Sequence, residues 1–228
     1  MPGAQVLQGL LFKEWIKLRL AAWLPFLLLL LGLLDAWQQM RGLKSAAGGA
    51  ALWEQVLVRD KLYFEHLRYL PAFAGAWWAA AQWWPECRDH RLRLFFHLPV
   101  REQRALAVVA GIGLALLALL TAALCASSAA ISAAFLPWEA ARMTALTVLP
   151  WCLAGIVTYA ATAGMLIERR PLRRLWHGLV GAAFVLLLCG ASGHGRHIDH
   201  LPAFALLAGL WLLPLPALLD RARRGGAC

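Results

Sequence analysis

Charged side chains are scarce in this sequence, and several long stretches carry none. Asp, Glu, Lys and Arg make up 15% of the 228 residues, whereas hydrophobic residues make up 61% and the mean hydropathy is +0.63. Soluble domains are about a quarter charged. This composition therefore excludes a soluble globular protein and indicates a single polytopic membrane domain.

The sequence lacks the motif of a nucleotide-binding site and the cysteine spacing of a disulfide framework or metal site. The only lysines are Lys13, Lys17, Lys44 and Lys61, and none follows the Gly-x-x-x-x-Gly pattern that cradles the phosphates of ATP. We therefore expect no ATP hydrolysis by this chain alone, no catalytic residues and no bound cofactor. The five cysteines are scattered, so neither a disulfide framework nor a Cys-based metal site is expected.

The apolar runs predict an all-α fold with six transmembrane helices. The predicted spans are about 20–37, 69–84, 105–135, 143–167, 175–192 and 201–219. Between the first two spans, residues 42–51 are rich in Gly and Ala, which predicts a flexible segment. Over 52–67, apolar residues alternate with charged residues, which predicts a surface helix. Prolines inside several runs are tolerated in membrane helices.

An amphipathic helix is predicted ahead of the first span, over residues 6–18. Leu7, Leu11 and Trp15 share one helical face, while Lys13 and Lys17 lie away from it. This pattern is typical of a helix that lies in the membrane interface. A secretory signal is the alternative interpretation, since basic residues precede an apolar run.

Lys and Arg are distributed unequally between the two sides of this six-span layout. Fifteen of the 22 lie on the side of the N-terminus and seven on the other side. By the positive-inside rule, both termini face the cytoplasm. Topology and contact with anionic lipid thus account for the net charge of +10, and a nucleic-acid partner is not expected.

The segment from Pro85 to Arg104 separates two uncharged runs and carries eight charged groups. Each such charge costs roughly 2.5 to 3.5 kcal/mol at the bilayer centre, so the segment must lie outside the hydrocarbon. Leu92, Phe95 and Phe96 have the spacing of one helical face, and Pro99 prevents the helix from continuing. The pattern predicts a short amphipathic helix at the membrane surface. An anchor that merely holds two spans in the interface is the simpler interpretation.

The order of these features resembles the permease subunits of the type-2 family of ABC transporters. The matching residues are Glu86, Arg91, Leu94 and the run His97-Leu98-Pro99-Val100-Arg101, and the stretch from Phe12 to Arg19 resembles the family's N-terminal elbow helix. Arg91-Leu92-Arg93-Leu94 stands where the family usually has Gly-Thr-Leu or Gly-Ser-Leu.

The resemblance implies a transport subunit of the cell inner membrane. It implies a cytoplasmic coupling helix between spans two and three that docks on a separate ATPase subunit, and a second copy of the permease or a related permease as partner. An exporter of an amphiphilic substrate is the expected activity. The residues expected to couple to the ATPase are Glu86, Arg88, Arg91, Leu92, Arg93, Phe95, Phe96 and Arg101.

Three other interpretations of the residues remain open. His194, His197, Asp199 and His200 are candidate ligands for Zn or Cu, although the flanking glycines favour an irregular turn that binds no metal. His66, His97 and His177 lie near span ends, but a membrane cytochrome would place His pairs within facing helices. The chain is alternatively a membrane anchor, without transport activity, of a larger complex such as a redox complex.

Overall fold

The computed structural model describes residues 2–88, 102–190 and 193–224, and within these ranges the protein is helical and contains no strand. The prediction of an all-α fold is thus confirmed for the described chain. The helices in chain order are α1 (Pro2–Ala21), α2 (Trp23–Trp53), α3 (Leu70–Arg88), α4 (Glu102–Phe135), α5 (Trp138–Ile167), α6 (Pro171–Cys189), α7 (Leu201–Leu210) and α8 (Pro214–Arg224).

Several of these helices match the dimensions of a bilayer. Within the described ranges, five helical stretches are long and apolar enough to cross a membrane, namely Gln8–Val56, Gln103–Phe135, Trp138–Ile167, Pro171–Cys189 and Leu201–Arg221. The less apolar α3 has 19 residues, which rise about 28 Å at 1.5 Å each. The protein is therefore a helical membrane protein with five or six long apolar helices.

Helix α5 lies at the centre and contacts α3, α4 and α6. Its approach to α3 is close because glycine occupies the contact on both helices. A Cβ placed on Gly75 would overlap the carbonyl oxygen of Gly155, and one placed on Gly155 would lie 2.8 Å from the carbonyl oxygen of Pro71. Small residues drive helix association in membranes in this way, since they let two backbones gain van der Waals contact.

The junction between α1 and α2 is a bend at Ala22 that remains nearly helical, because the amide of Ala22 still donates to the carbonyl of Leu18 at 2.7 Å. Pro25 has no amide hydrogen, so the carbonyl of Ala21 loses its ordinary helical donor. The indole Nε1 of Trp77 donates to that carbonyl instead, at 2.8 Å. Thus α3 stabilises the bend by satisfying the carbonyl that the proline leaves without a partner.

The connection between the first two predicted spans differs from the prediction. Residues 42–51 are helical as part of α2, with Gly48 (φ 84°) as the one non-helical residue. The predicted surface helix over 52–67 is wrong. This segment forms a π-helical turn (Glu54–Val58), a loop and a 3-10 turn (Glu65–Leu67), because Asp60 adopts a left-handed conformation (φ 52°) and breaks the helix.

Two helix boundaries differ from the ends of the predicted spans, although Leu201–Arg221 remains one helical stretch long and apolar enough to cross a membrane. The last span, predicted over 201–219, is divided into α7 and α8 by a turn at 211–213. The cause is Pro214, whose ring nitrogen cannot donate to the carbonyl four residues earlier. In contrast, α3 runs through Pro85 to Arg88 rather than ending at residue 84.

Candidate functional site

Basic residues gather at one end of the bundle, where α3 and α5 end, α4 and α6 begin and α8 packs. A separate hydrophobic cluster underlies this end and includes Leu10, Trp83, Val109, Ile167 and Leu218. We call this region the basic end. Its described Lys and Arg residues include Lys13, Lys17, Arg88, Arg104, Arg169, Arg170, Arg173, Arg174 and Arg221.

Two of the residues predicted to couple to an ATPase, Glu86 and Arg88, belong to this end. Glu86 and Arg88 lie in the last turn of α3, and α4 begins at Glu102. The remaining predicted coupling residues, Arg91, Leu92, Arg93, Phe95, Phe96 and Arg101, lie outside the described residues. The described part of the predicted site is therefore Glu86 and Arg88, at the end of α3.

Glu86 belongs to an ion cluster that joins α1 to α3. Oε1 of Glu86 lies 2.8 Å from Nζ of Lys13 and also accepts from Nζ of Lys17, which in turn lies 2.7 Å from Oε1 of Glu14. The two carboxylates are buried, with side-chain exposures of 1% for Glu14 and 8% for Glu86. Two positive and two negative groups balance here, as buried charges require. We call Lys13, Glu14, Lys17 and Glu86 the α1–α3 ion cluster.

The sequence pattern did not reveal this cluster. Lys13 and Lys17 are four residues apart and share a helical face. The amphipathic pattern of the sequence predicts that this is the polar face of an interfacial helix. In the fold that face meets α3, and Lys17 retains a side-chain exposure of only 15%. The one available signal was the isolated acidic Glu14 between two lysines in an otherwise apolar helix.

A second polar contact joins three helices beneath the ion cluster. The hydroxyl of Tyr159 on α5 donates to Oε1 of Gln82 on α3 at 2.7 Å, and Nε2 of Gln82 donates to the carbonyl of Val109 on α4 at 2.9 Å. All three groups are buried. The contact satisfies the polar atoms of Gln82 in an apolar setting, so it holds α3, α4 and α5 in one register.

Comparison of this chain with protein-family models, curated proteins and solved structures finds no match. The relation to type-2 ABC permeases is therefore a resemblance carried by residues 85–104 and by the N-terminal helix. Any function assigned to the basic end has to follow from its own residues and geometry.

The histidine-rich loop lies at the opposite end of the bundle, where His194 pairs with Asp60 whereas His197 and His200 contact Phe204. His194 donates its backbone amide to Oδ1 of Asp60 at 2.9 Å, and its Nδ1 lies 2.6 Å from the same oxygen. The rings of His197 and His200 pack edge-on against Phe204. Within the part of the chain that the structure describes, no group of three or more His, Cys, Asp or Glu residues is arranged to hold a metal.

Asp60 acts as the anchor of this loop. Burial raises the pKa of the Asp60 carboxyl, but the hydrogen bonds from the backbone and ring of His194 and the positive charge of Arg196 outweigh it, so the pKa lies below its usual range. Gly193 (φ 110°) and Gly195 (φ 73°) adopt conformations that glycine favours, and the amide of Gly195 donates to Oγ1 of Thr147 at 2.9 Å. The loop is thereby fastened to both the α2–α3 connection and α5.

The histidines considered for haem do not form a facing pair among the described residues. His66 contacts the carbonyl oxygen of Gly32 at 2.9 Å, near the histidine-rich end. His177 packs against Gly164 near the basic end. His97 lies outside the described residues. The two described rings are thus separated along the bundle axis.

Proposed function

We propose that this protein is the membrane-spanning permease subunit of an ABC transporter of type 2, driven by a separate ATPase subunit. The observation that carries the proposal is the charged segment 85–104, which joins the end of α3 to the start of α4 and contains the residues that resemble the family. The absence of a phosphate-binding glycine loop from the sequence agrees with a division of labour between two subunits.

The α1–α3 ion cluster supports a mechanical role for this segment. A force applied by a partner to residues 89–101 reaches α3 and α4 directly, since the segment connects these helices. Glu86 transmits the movement of α3 to α1 through its pairs with Lys13 and Lys17. The contact among Tyr159, Gln82 and Val109 extends the linkage to α5. Nucleotide-driven movement would therefore shift four helices together.

The proposed substrate is an amphiphile that is exported. The sequence places no charge within the runs 69–84 and 105–135, so the spans provide no charged route for a small ion. We propose two permease subunits, either two copies of this chain or one copy with a related subunit, that surround the pathway.

We place the protein in the cell inner membrane, with the basic end and both termini in the cytoplasm, on the basis of the asymmetry of Lys and Arg. Single cysteines introduced into a cysteine-free background test this orientation. Reagents that do not cross the membrane should label residue 48 and residue 195 in intact cells, but should label residue 170 and residue 225 only after permeabilisation. Labelling of residue 170 in intact cells would show that the orientation is opposite to the one proposed.

The proposal predicts a specific defect when Phe95 and Phe96 are both replaced by Ala. Burying one Phe in an interface contributes roughly 1.5 to 3 kcal/mol, so the double variant should lose more than tenfold in affinity for the ATPase subunit. The protein should still insert and fold. The measurement is the amount of nucleotide-binding subunit, and of ATP hydrolysis, that co-purifies with the tagged chain from its native membrane.

A control for this experiment replaces another adjacent apolar pair, Leu206 and Leu207 on α7, with Ala. Their side chains are exposed on the helix surface, away from the proposed docking segment. Co-purification should be unchanged in this control. If the Phe variant retained full co-purification and coupled hydrolysis, residues 89–101 would take no part in coupling to the ATPase.

A membrane anchor without transport activity is the second candidate. The observation that favours it is the close glycine contact between α3 and α5, which leaves no space for a substrate between these two helices. An anchor predicts that the chain co-purifies with a complex that lacks ATP hydrolysis, and that the Phe95 and Phe96 variant shows no nucleotide-dependent change.

A further inference from the structure

Two adjoining cavities open at the basic end, with volumes of about 200 Å³ and 310 Å³. Glu168 and Arg169, in the link between α5 and α6, line both. The other lining residues come from α3, α5, α6, α8 and the same link. They are Ile167, Arg170, Arg173, Leu218 and Arg221 in the first cavity, and Trp84, Cys87, Arg88, Leu166 and Arg174 in the second.

The charge on the cavity walls is strongly positive. Six of the described lining side chains are arginines, and Glu168 is the single carboxylate among the described lining residues. The planar guanidinium group donates in a fork that matches the oxygens of a phosphate group, and basic pockets between membrane helices bind lipid headgroups. The wall chemistry therefore selects a ligand with an anionic phosphate.

Apart from Cys87, the remaining described lining residues are apolar. Leu166 lines the second cavity together with Trp84, whose exposure is 53%, whereas Ile167 and Leu218 line the first. Tryptophan is enriched at the level of the lipid headgroups. An apolar wall beside the arginines suits a ligand that carries acyl chains, and it offers nothing to free inorganic phosphate.

Glu168 provides a second requirement for the ligand. Its side chain is only 8% exposed, and Oε1 accepts the backbone amides of Arg169 at 3.1 Å and Arg170 at 3.2 Å. Oε2 lies 3.8 Å from Nη1 of Arg221 and has no hydrogen-bond partner among the described residues. A buried acceptor without a donor is costly, so a rotation of the Glu168 side chain toward the cavities that brings Oε2 to a donor on a bound group is stabilised.

We propose that these cavities bind the headgroup of an anionic glycerophospholipid that carries hydroxyl groups, as phosphatidylglycerol does. The arginines hold the phosphate, a headgroup hydroxyl donates to Oε2 of Glu168, and the acyl chains leave along Trp84 and Leu166. The site joins α3, α5, α6 and α8, so the bound lipid holds these helices together. This inference does not depend on transport or on an ATPase partner.

Native mass spectrometry of the detergent-purified full chain tests the proposal by lipid titration. Wild type should bind phosphatidylglycerol at least tenfold more tightly than phosphatidylcholine, and more tightly than phosphatidylmethanol, which has the phosphate but no headgroup hydroxyl. Millimolar inorganic phosphate should displace little of the bound phosphatidylglycerol. Equal affinity for phosphatidylglycerol and phosphatidylcholine would overturn the proposal, and complete displacement by phosphate would assign the site to a free anion instead.

Two variants separate the roles of the wall residues. Arg170→Gln with Arg173→Gln should weaken phosphatidylglycerol binding about thirtyfold, since each arginine near an anionic group contributes about a factor of five. Glu168→Gln keeps the oxygen that accepts the two backbone amides but should abolish the preference for phosphatidylglycerol over phosphatidylmethanol.

Arg59→Gln with Arg142→Gln is the matched control, because both arginines are exposed and lie at the opposite end of the bundle. Its affinity for phosphatidylglycerol should equal that of wild type. An Arg170 and Arg173 variant that binds like this control would disprove the site. Should that variant fail to fold, the wild-type contrast between the lipids and the competition by phosphate decide the question.

Discussion

Replacing Glu86 with Gln is expected to lower the free energy of unfolding by about 3 kcal/mol. Glu86 is buried and accepts hydrogen bonds from both Lys13 and Lys17, and a hydrogen bond to a charged group contributes about 1.5 to 3 kcal/mol. Lys17 then keeps Glu14 as its only carboxylate, and Lys13 turns to solvent. The expected result is a lower midpoint of unfolding by sodium dodecyl sulfate in mixed micelles, with loss of the contact between α1 and α3.

The same substitution at an exposed ion pair is the control. Glu54 pairs with Arg59 at 2.9 Å, but the two side chains are 54% and 69% exposed, and exposed pairs contribute about 0 to 1 kcal/mol. Glu54→Gln should therefore leave the midpoint almost unchanged. Equal midpoints for the Glu86 and Glu54 variants would mean that the α1–α3 ion cluster does not hold α1 in place.

Gly75→Ala is expected to be the most damaging single methyl addition in the bundle. The new Cβ would overlap the backbone carbonyl of Gly155, which cannot move aside as a flexible side chain can. Overpacking of this kind costs about 1 to 3 kcal/mol, and here it also separates α3 from α5 and strains the hydrogen bond between Tyr159 and Gln82. We expect loss of folded protein from the membrane fraction, measured by detergent extraction and size-exclusion chromatography.

Gly111→Ala on α4 adds the same methyl group where, apart from the backbone of its own helix, no atom of the described residues lies within 4 Å. Alanine has the higher helix propensity, so this variant should be as stable as wild type or slightly more stable. The difference between the two variants isolates the close helix contact from any general effect of removing glycine. Wild-type yield of the Gly75 variant would show that α3 and α5 can separate without loss of the fold.

Much of the helical architecture was readable from the apolar runs and the prolines. The predicted span over 143–167 falls within α5, and Pro171 begins α6 after the charged link that the sequence marked as a boundary. The errors have local causes. Asp60 breaks the predicted surface helix, and the Gly/Ala-rich stretch is helical on both sides of Gly48.

The candidate site was less predictable, because its residues come from distant parts of the chain. The charged segment 85–104 makes Glu86 a candidate site residue. Nothing in the spacing of Lys13 and Lys17, however, indicates a partner on another helix. Gln82 and Tyr159 are separated by 77 positions, and neither belongs to a motif. Glu168 was one acidic residue beside a run of arginines, with no signal that its side chain is buried.

By itself, the sequence determined that this is a membrane protein whose described residues form long, largely uncharged helices. The physical reason is that a bilayer penalises a charge inside its hydrocarbon whichever helices are neighbours, so composition and order along the chain decide these properties. Only the tertiary structure decided that α1 is paired to α3, that Glu168 is enclosed by arginines from several elements and that α3 contacts α5 through glycine. These properties depend on distances of a few ångströms between residues far apart in sequence, and packing alone sets such distances.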